Sequence, residues 1–265
     1  MQKLSKIWYS LIAGLATLFF IAGIPMISHA EETTFTAEEI KNFSIDAKAA
    51  FSVDFDTGKI LYDQEGETPM GIASVTKIIS LYLVAEQVKQ GKLTWEDPVE
   101  ISQYAADLSV TPDLSNVPLH RDVQYTVKDL YEASYIQSAN AAVVALAEKI
   151  AGSEPAFVDQ MKDKLTEWGI TDAKIVNASG LNNTYLGENL YPGSTSTDEN
   201  ELSAKDVAIV ARHLLQDFPE VLEVTSTVTK TFGEGSYSPV EMVNWNWMLP
   251  VSYTHLRAHE TLSDL

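Results

Sequence analysis

Residues 74–90 carry apolar side chains on nearly every side of a helical projection: Val75, Ile78, Ile79, Leu81, Tyr82, Leu83, Val84 and Val88. A helix that is apolar all round has to be buried, so the rest of the chain must wrap around this one. Gly91 stops it. The segment opens on Ser74, and Lys77 follows three residues later. On a helix, positions i and i+3 share a face, with Cβ atoms about 5–6 Å apart. Burial penalises the ammonium form of lysine, and a neutral amine beside a hydroxyl is a pairing that activates a serine nucleophile. Ser74 is then expected at the floor of a cleft, where the helix dipole and free amides favour negative charge. The competing reading is structural: an N-cap serine followed by a surface lysine.

The remaining chain can supply the required core. It has 265 residues, 45% of them hydrophobic, enough for one large domain or two small ones. Cysteine is absent, which excludes disulfides and thiolate catalysis. A formal charge of −19 argues against nucleic acid as a partner, because phosphates demand a basic surface. The first thirty residues read as a secretory signal peptide: Lys3 and Lys6, an apolar run over 7–24, Pro25, then small residues at Ser28 and Ala30. Cleavage is expected after Ala30, with an uncleaved anchor as the alternative. The protein is therefore expected to work outside the cytoplasmic membrane.

Taken in order, residues 31–48 are a polar lead-in. Two apolar-rich runs over 49–54 and 59–63 flank Asp56-Thr57-Gly58 and predict a hairpin. Residues 93–120, with Pro98, Pro112 and Pro118, read as a loop forming a wall of the cleft. Thr126 and Asp129 resemble a capping box that opens a helix to about Gln137. Further helices are predicted over 141–151, over 154–168 after Ser153, and from Ser203 to about Asp217. Residues 177–196 form a long polar loop, and residues 225–249 lean towards strand around Gly233 and Gly235.

Between the first two of these helices lies Ser138-Ala139-Asn140, 64 residues beyond Ser74. A second hydroxyl and a carboxamide there could pass a proton to a leaving amine and hold a substrate amide. Ser-x-x-Lys followed by Ser-x-Asn, in that order and on those elements, belongs to penicillin-interacting serine enzymes. The chain resembles the low-molecular-mass penicillin-binding proteins of Gram-positive bacteria, which are serine-type D-alanyl-D-alanine carboxypeptidases. The likeness also rests on Asn177-Ala178-Ser179-Gly180-Leu181, Ser203-Ala204-Lys205-Asp206 and Asn244-Trp245-Asn246. It implies an α+β fold of the β-lactamase/DD-peptidase type, a helical lobe packed on an antiparallel sheet. It further implies Ser74 as nucleophile, Lys77 as base, Ser138 as proton shuttle and Asn140 as substrate-binding residue. No metal or organic cofactor is implied. The implied substrates are peptidoglycan stem peptides, with β-lactams as covalent inhibitors of Ser74.

One element of that family's set is missing. The sequence contains no Lys-Thr-Gly, and Lys230-Thr231 runs into Phe232 and precedes Asn244. The resemblance stops near Pro250, and residues 251–265 read as unrelated, artefactual sequence. The expected division is signal peptide 1–30, truncated peptidase domain 31–250 and a non-family tail. The sheet is expected to be incomplete, and the chain poorly folded and weakly active or inactive. Membrane association is expected only through a missing C-terminal region or an uncleaved signal. His255 and His259 with Glu260 do not make a convincing metal set. The rival activity is a class A-like β-lactamase, which needs a glutamate-positioned water; residues 170–186 contain no glutamate, and Glu188 and Glu199 lie in poor contexts. A non-catalytic secreted protein of the same fold is the rival outside enzymology, and an esterase is a minor third.

Overall fold

The structure, a computed structural model, describes residues 43–249. The chain divides into two units, Met1–Ile45 and Asp46–Leu265, and every described helix and strand belongs to the second. The expected signal peptide, the tail over 251–265, and with it His255, His259 and Glu260, lie outside the described residues.

In chain order the elements are β1 (Ala50–Val53), β2 (Ile60–Gln64), β3 (Met70–Gly71), a 3-10 turn (Ala73–Thr76) and α1 (Lys77–Lys89). Then come β4 (Pro98–Val99), α2 (Gln103–Ser109), β5 (Tyr125–Thr126), α3 (Val127–Ile136), α4 (Asn140–Ala151) and α5 (Glu154–Glu167). A 3-10 turn (Asn183–Tyr185), β6 (Glu201–Leu202), α6 (Ala204–Asp217), α7 (Val221–Thr225), β7 (Thr229–Phe232) and β8 (Val240–Val243) complete it.

The all-round apolar segment is the buried centre that its composition demands. α1 packs against α3, α4, α5 and α6, with Ile79, Leu81, Leu83 and Val84 inside. Each such side chain contributes about 1.5–3 kcal/mol on burial. α4 is its main neighbour, and Ala141, Ala142, Ala145 and Ala147 of that helix are buried. The ends of the surrounding helices are fixed locally. Thr126 and Asp129 close a reciprocal capping box on α3, and Ser203 and Asp206 do the same on α6. Ser153 caps α5, and Gly152 ends α4 in the left-handed conformation.

The strands pair antiparallel, two at a time: β1 with β2, β3 with β6, β4 with β5 and β7 with β8. The predicted hairpin is present, with a register shift between Ser52 and Val53, and α6 lies against β1. No third strand joins it among the described residues. The short β3–β6 pair ties the approach to the 3-10 turn onto the chain just before α6. Residues 93–120 are less loop-like than expected. They contain α2, whose Ser102 cap accepts from the Ala105 amide; its seven residues fall between prolines and below the length at which helical periodicity is readable.

Candidate active site

The α-helix after Ser74 starts later than expected. Ala73–Thr76 form a 3-10 turn, and the α-helix begins at Lys77. No side-chain cap bond occurs at either start, so the N-cap reading of Ser74 fails. The turn projects from the core, which leaves Ser74 exposed and buries Thr76 and Lys77 behind it. Ser74 is thus open to solvent while Lys77 behind it is not.

Lys77 is 4% exposed, and its ammonium position is defined by three partners. Nζ lies 3.0 Å from Ser74 Oγ, 2.7 Å from Asn140 Oδ1 and 2.8 Å from the Ser179 carbonyl. Burial pulls its pKa down from 10.5 to about 7. The identity of the partners sets the direction of the proton. Asn140 Oδ1 and the Ser179 carbonyl can only accept, so they take the two hydrogens of the neutral amine. The lone pair is left for Ser74, the only partner of the three that also carries a hydrogen to give.

Each partner is held in turn. Asn140 opens α4; its amide and its Nδ2 both donate to the Ser115 carbonyl, at 3.0 and 2.9 Å, which aims Oδ1 at Lys77. Asn116 Oδ1 accepts from the Ala141 amide beside it. The stretch expected to wall the cleft thus supplies the support for Asn140. Ser179 belongs to a turn in which Asn177 Oδ1 accepts from the Gly180 amide at 2.7 Å. Gly180 has φ +82°, and a Cβ there would lie 1.8 Å from the Ala73 carbonyl oxygen. Only glycine permits that approach. Asn200 joins the turn to the segment that carries Ser74: Nδ2 donates to Thr76 Oγ1 (3.0 Å) and the Asn177 carbonyl (2.9 Å). Its Oδ1 accepts from the amides of Val176 and Asn177.

Two non-glycine residues of the site have left-handed backbone, Ala73 at φ 43° and Ser138 at φ 55°. Such strain persists only where the surroundings impose it, and it concentrates at functional sites. Ser138 sits two residues before Asn140, in the junction between α3 and α4. The structure brings Ser74, Lys77 and Asn140 into one hydrogen-bonded group; Ser138 makes no hydrogen bond to it. Sequence reasoning assigns no role to Ser115, Ser179 or Asn200, whose contributions come through backbone carbonyls or span 23 residues or more. The tempting Lys230 lies on β7 and pairs with Glu132 of α3, while Thr231 faces solvent.

No carboxylate hydrogen-bonds to Ser74, Lys77 or Asn140 among the described residues. Glu188 is exposed, and Glu199 lies over Gly71. A family model described as D-alanyl-D-alanine carboxypeptidase, peptidase S11, matches residues 33–258. The chain belongs to this family. The match continues past Pro250. D-alanyl-D-alanine carboxypeptidase DacF of Bacillus subtilis is 32% identical over 205 residues, covering 77% of this chain and 48% of the relative. DacC of Escherichia coli is 29% identical over 237 residues, 88% of this chain and 54% of its own length. This family member thus spans about half the length of those curated relatives. Among solved structures, a peptidoglycan synthesis regulatory factor (PBP3) from Streptococcus pneumoniae is 49% identical with a TM-score of 0.74, over 78% of this chain and 56% of that one. Penicillin-binding protein D2 from Listeria monocytogenes, in its ampicillin-bound form, is 26% identical with a TM-score of 0.62, over 79% and 76%. The α+β fold expected from the sequence is the fold of these structures.

Proposed function

We propose that the protein is a serine D-Ala-D-Ala carboxypeptidase that acts outside the cytoplasmic membrane on peptidoglycan stem peptides. The observation that carries this reading is the Lys77 amine, buried, held near pKa 7 and hydrogen-bonded to Ser74 with two acceptor-only partners. Neutral Lys77 takes the Ser74 proton as Oγ bonds to the carbonyl carbon of the penultimate D-alanine. The C–N bond breaks, and the departing D-alanine receives a proton relayed from Lys77 through Ser138. Lys77 then deprotonates the water that cleaves the ester and restores Ser74. Asn140 divides its carboxamide between orienting Lys77 and meeting the substrate backbone. β-Lactams would enter the same first step and stop there. One related protein, penicillin-binding protein D2 from Listeria monocytogenes, solved in ampicillin-bound and cefotaxime-bound forms, supports this extension. The lack of a glutamate over residues 170–186 and the exposure of Glu188 favour this reading over a β-lactamase. No helix among the described residues is long and apolar enough to cross a membrane.

The test is incubation with a fluorescent penicillin followed by mass spectrometry. A single adduct on Ser74, lost in Ser74→Ala and slowed at least 100-fold in Lys77→Ala, is expected for a nucleophile and its general base (about 10²–10⁴-fold). With no Lys-Thr-Gly in the chain, labelling is expected to be slow and incomplete; rapid stoichiometric labelling would show that element to be dispensable. Labelling at another residue would overturn the assignment. Fast nitrocefin turnover would reverse the choice between peptidase and lactamase.

A further inference from the structure

The turn over residues 177–180 presents the Ser179 carbonyl to Lys77, and its Ala178 peptide is gripped from two sides. On the inner side Ser80, three residues after Lys77 on α1, donates from Oγ to the Ala178 carbonyl at 2.7 Å. On the outer side the Ala178 amide donates to Oε1 of Glu154 at 2.9 Å. The other oxygen of Glu154 accepts from the Tyr104 hydroxyl of α2 at 3.1 Å. Glu154 stands in the first turn of α5 and is 5% exposed.

A buried glutamate is uncommon unless a cation pairs with it. No lysine, arginine or histidine pairs with Glu154 among the described residues. The titratable groups facing it are Tyr104 of α2, which donates to it, and Glu148 of α4, which adds like charge. Burial pushes its carboxyl up to about 7. Capping α5 does not require this, because Ser153 already does so. The placement is explained by what the carboxyl holds.

We propose that Glu154 is a positioning residue for the Ser74–Lys77 pair, acting through the Ala178 peptide and the Ser179 carbonyl. This rests on reading Ser74 as the nucleophile and Lys77 as its base. Two acceptors fix the two hydrogens of the neutral amine and thereby aim its lone pair at Ser74. When Glu154 releases the Ala178 amide, the Ser179 carbonyl is free to shift and the amine to rotate. The loosened turn also admits water to Lys77, whose low pKa comes from burial, and its proton affinity rises.

The experiment compares wild type, Glu154→Ala, Glu154→Gln and Glu154→Asp by three readouts: the rate of Ser74 acylation by fluorescent penicillin, the Lys77 titration midpoint from ¹⁵N-lysine NMR, and the melting temperature. Glu154→Ala is expected to acylate at least about tenfold more slowly at pH 7, with the Lys77 midpoint raised. Glu154→Gln keeps an oxygen to accept from Ala178 and an amide to meet Tyr104, so it should stay within about threefold of wild type with the midpoint unmoved. If the alanine variant does not fold, Glu154→Asp, which keeps the charge and shortens the reach, carries the same expectation. A folded alanine or aspartate variant with a lower melting temperature but unchanged rate and midpoint would reduce Glu154 to a strut and overturn the proposal. A glutamine variant as impaired as alanine would overturn it too, since charge and not hydrogen-bond acceptance would then matter. If wild type takes no label yet the midpoint moves in the alanine variant, the positioning stands and the nucleophile assignment falls.

Discussion

Lys77 and Glu154 both sit near pKa 7, having arrived from opposite sides. For Lys77, between about 7 and 10.5, the unfolded chain binds a proton that the folded chain does not, so stability rises with pH. For Glu154, between 4.5 and about 7, the folded chain holds the extra proton, so stability falls as pH rises. The two limbs meet near neutrality, where each group's burial weighs most against folding, at roughly 3–5 kcal/mol apiece. Asp198 does not intrude, because hydrogen bonds from Thr195 and then Lys174 hold it near 2 and it is ionised throughout this range. Urea unfolding at pH 5, 7 and 9 is expected to show lowest stability near pH 7. Lys77→Met should remove the rise towards pH 9, and Glu154→Gln the fall from pH 5. Three parallel pH curves would refute this account. Gly180 makes a separate prediction: a methyl group 1.8 Å from the Ala73 carbonyl forces the Ser74 turn away, so Gly180→Ala should cost about 3 kcal/mol or more in urea unfolding.

At the level of elements, the features legible in the sequence are those encoded locally. The capping boxes at Thr126 and Ser203, the left-handed Gly152 at the end of α4 and the Asp-Gly hairpin all place their signal within a few residues of their effect. The Ser74–Lys77 contact is readable for the same reason, as one turn of chain separates them. The 3-10 start of α1 is not, because it depends on the Ala73 carbonyl meeting Gly180. Nor is the role of Asn200, whose side chain reaches Thr76 across 124 residues and Asn177 across 23. This latch and the caps should differ in magnitude. Ser203→Ala removes one exchangeable cap bond and should cost about 1 kcal/mol. Asn200→Ala strands four buried partners (Thr76 Oγ1, the Asn177 carbonyl and two amides) and should cost about 3 kcal/mol or more. Equal losses in urea unfolding would mean that water replaces Asn200.

Across the described residues, the helical lobe closes on itself while the strand pairs stay open at their edges. The helices close around α1, yet β1 and β2 pair only with each other among the described residues. Ile60 and Leu61 on β2 are 54% and 61% exposed, and Trp245 and Trp247 are exposed as well. Apolar side chains on an edge strand favour edge-to-edge association. The formal charge of −19 opposes it by repulsion between copies. These terms respond differently to salt: the Debye length shrinks from about 10 Å at 0.1 M to about 3 Å at 1 M, whereas apolar contact is not screened. Light scattering should therefore show association that grows from about 0.05 to about 0.5 M sodium chloride, the reverse of what surface ion pairing would give. Leu61→Lys places a charge on the exposed strand and should lower that association at the higher salt severalfold, with unfolding free energy changed by less than about 0.5 kcal/mol. Association untouched by Leu61→Lys, but relieved by Trp247→Ser, would move the sticky surface from the hairpin to the segment after β8.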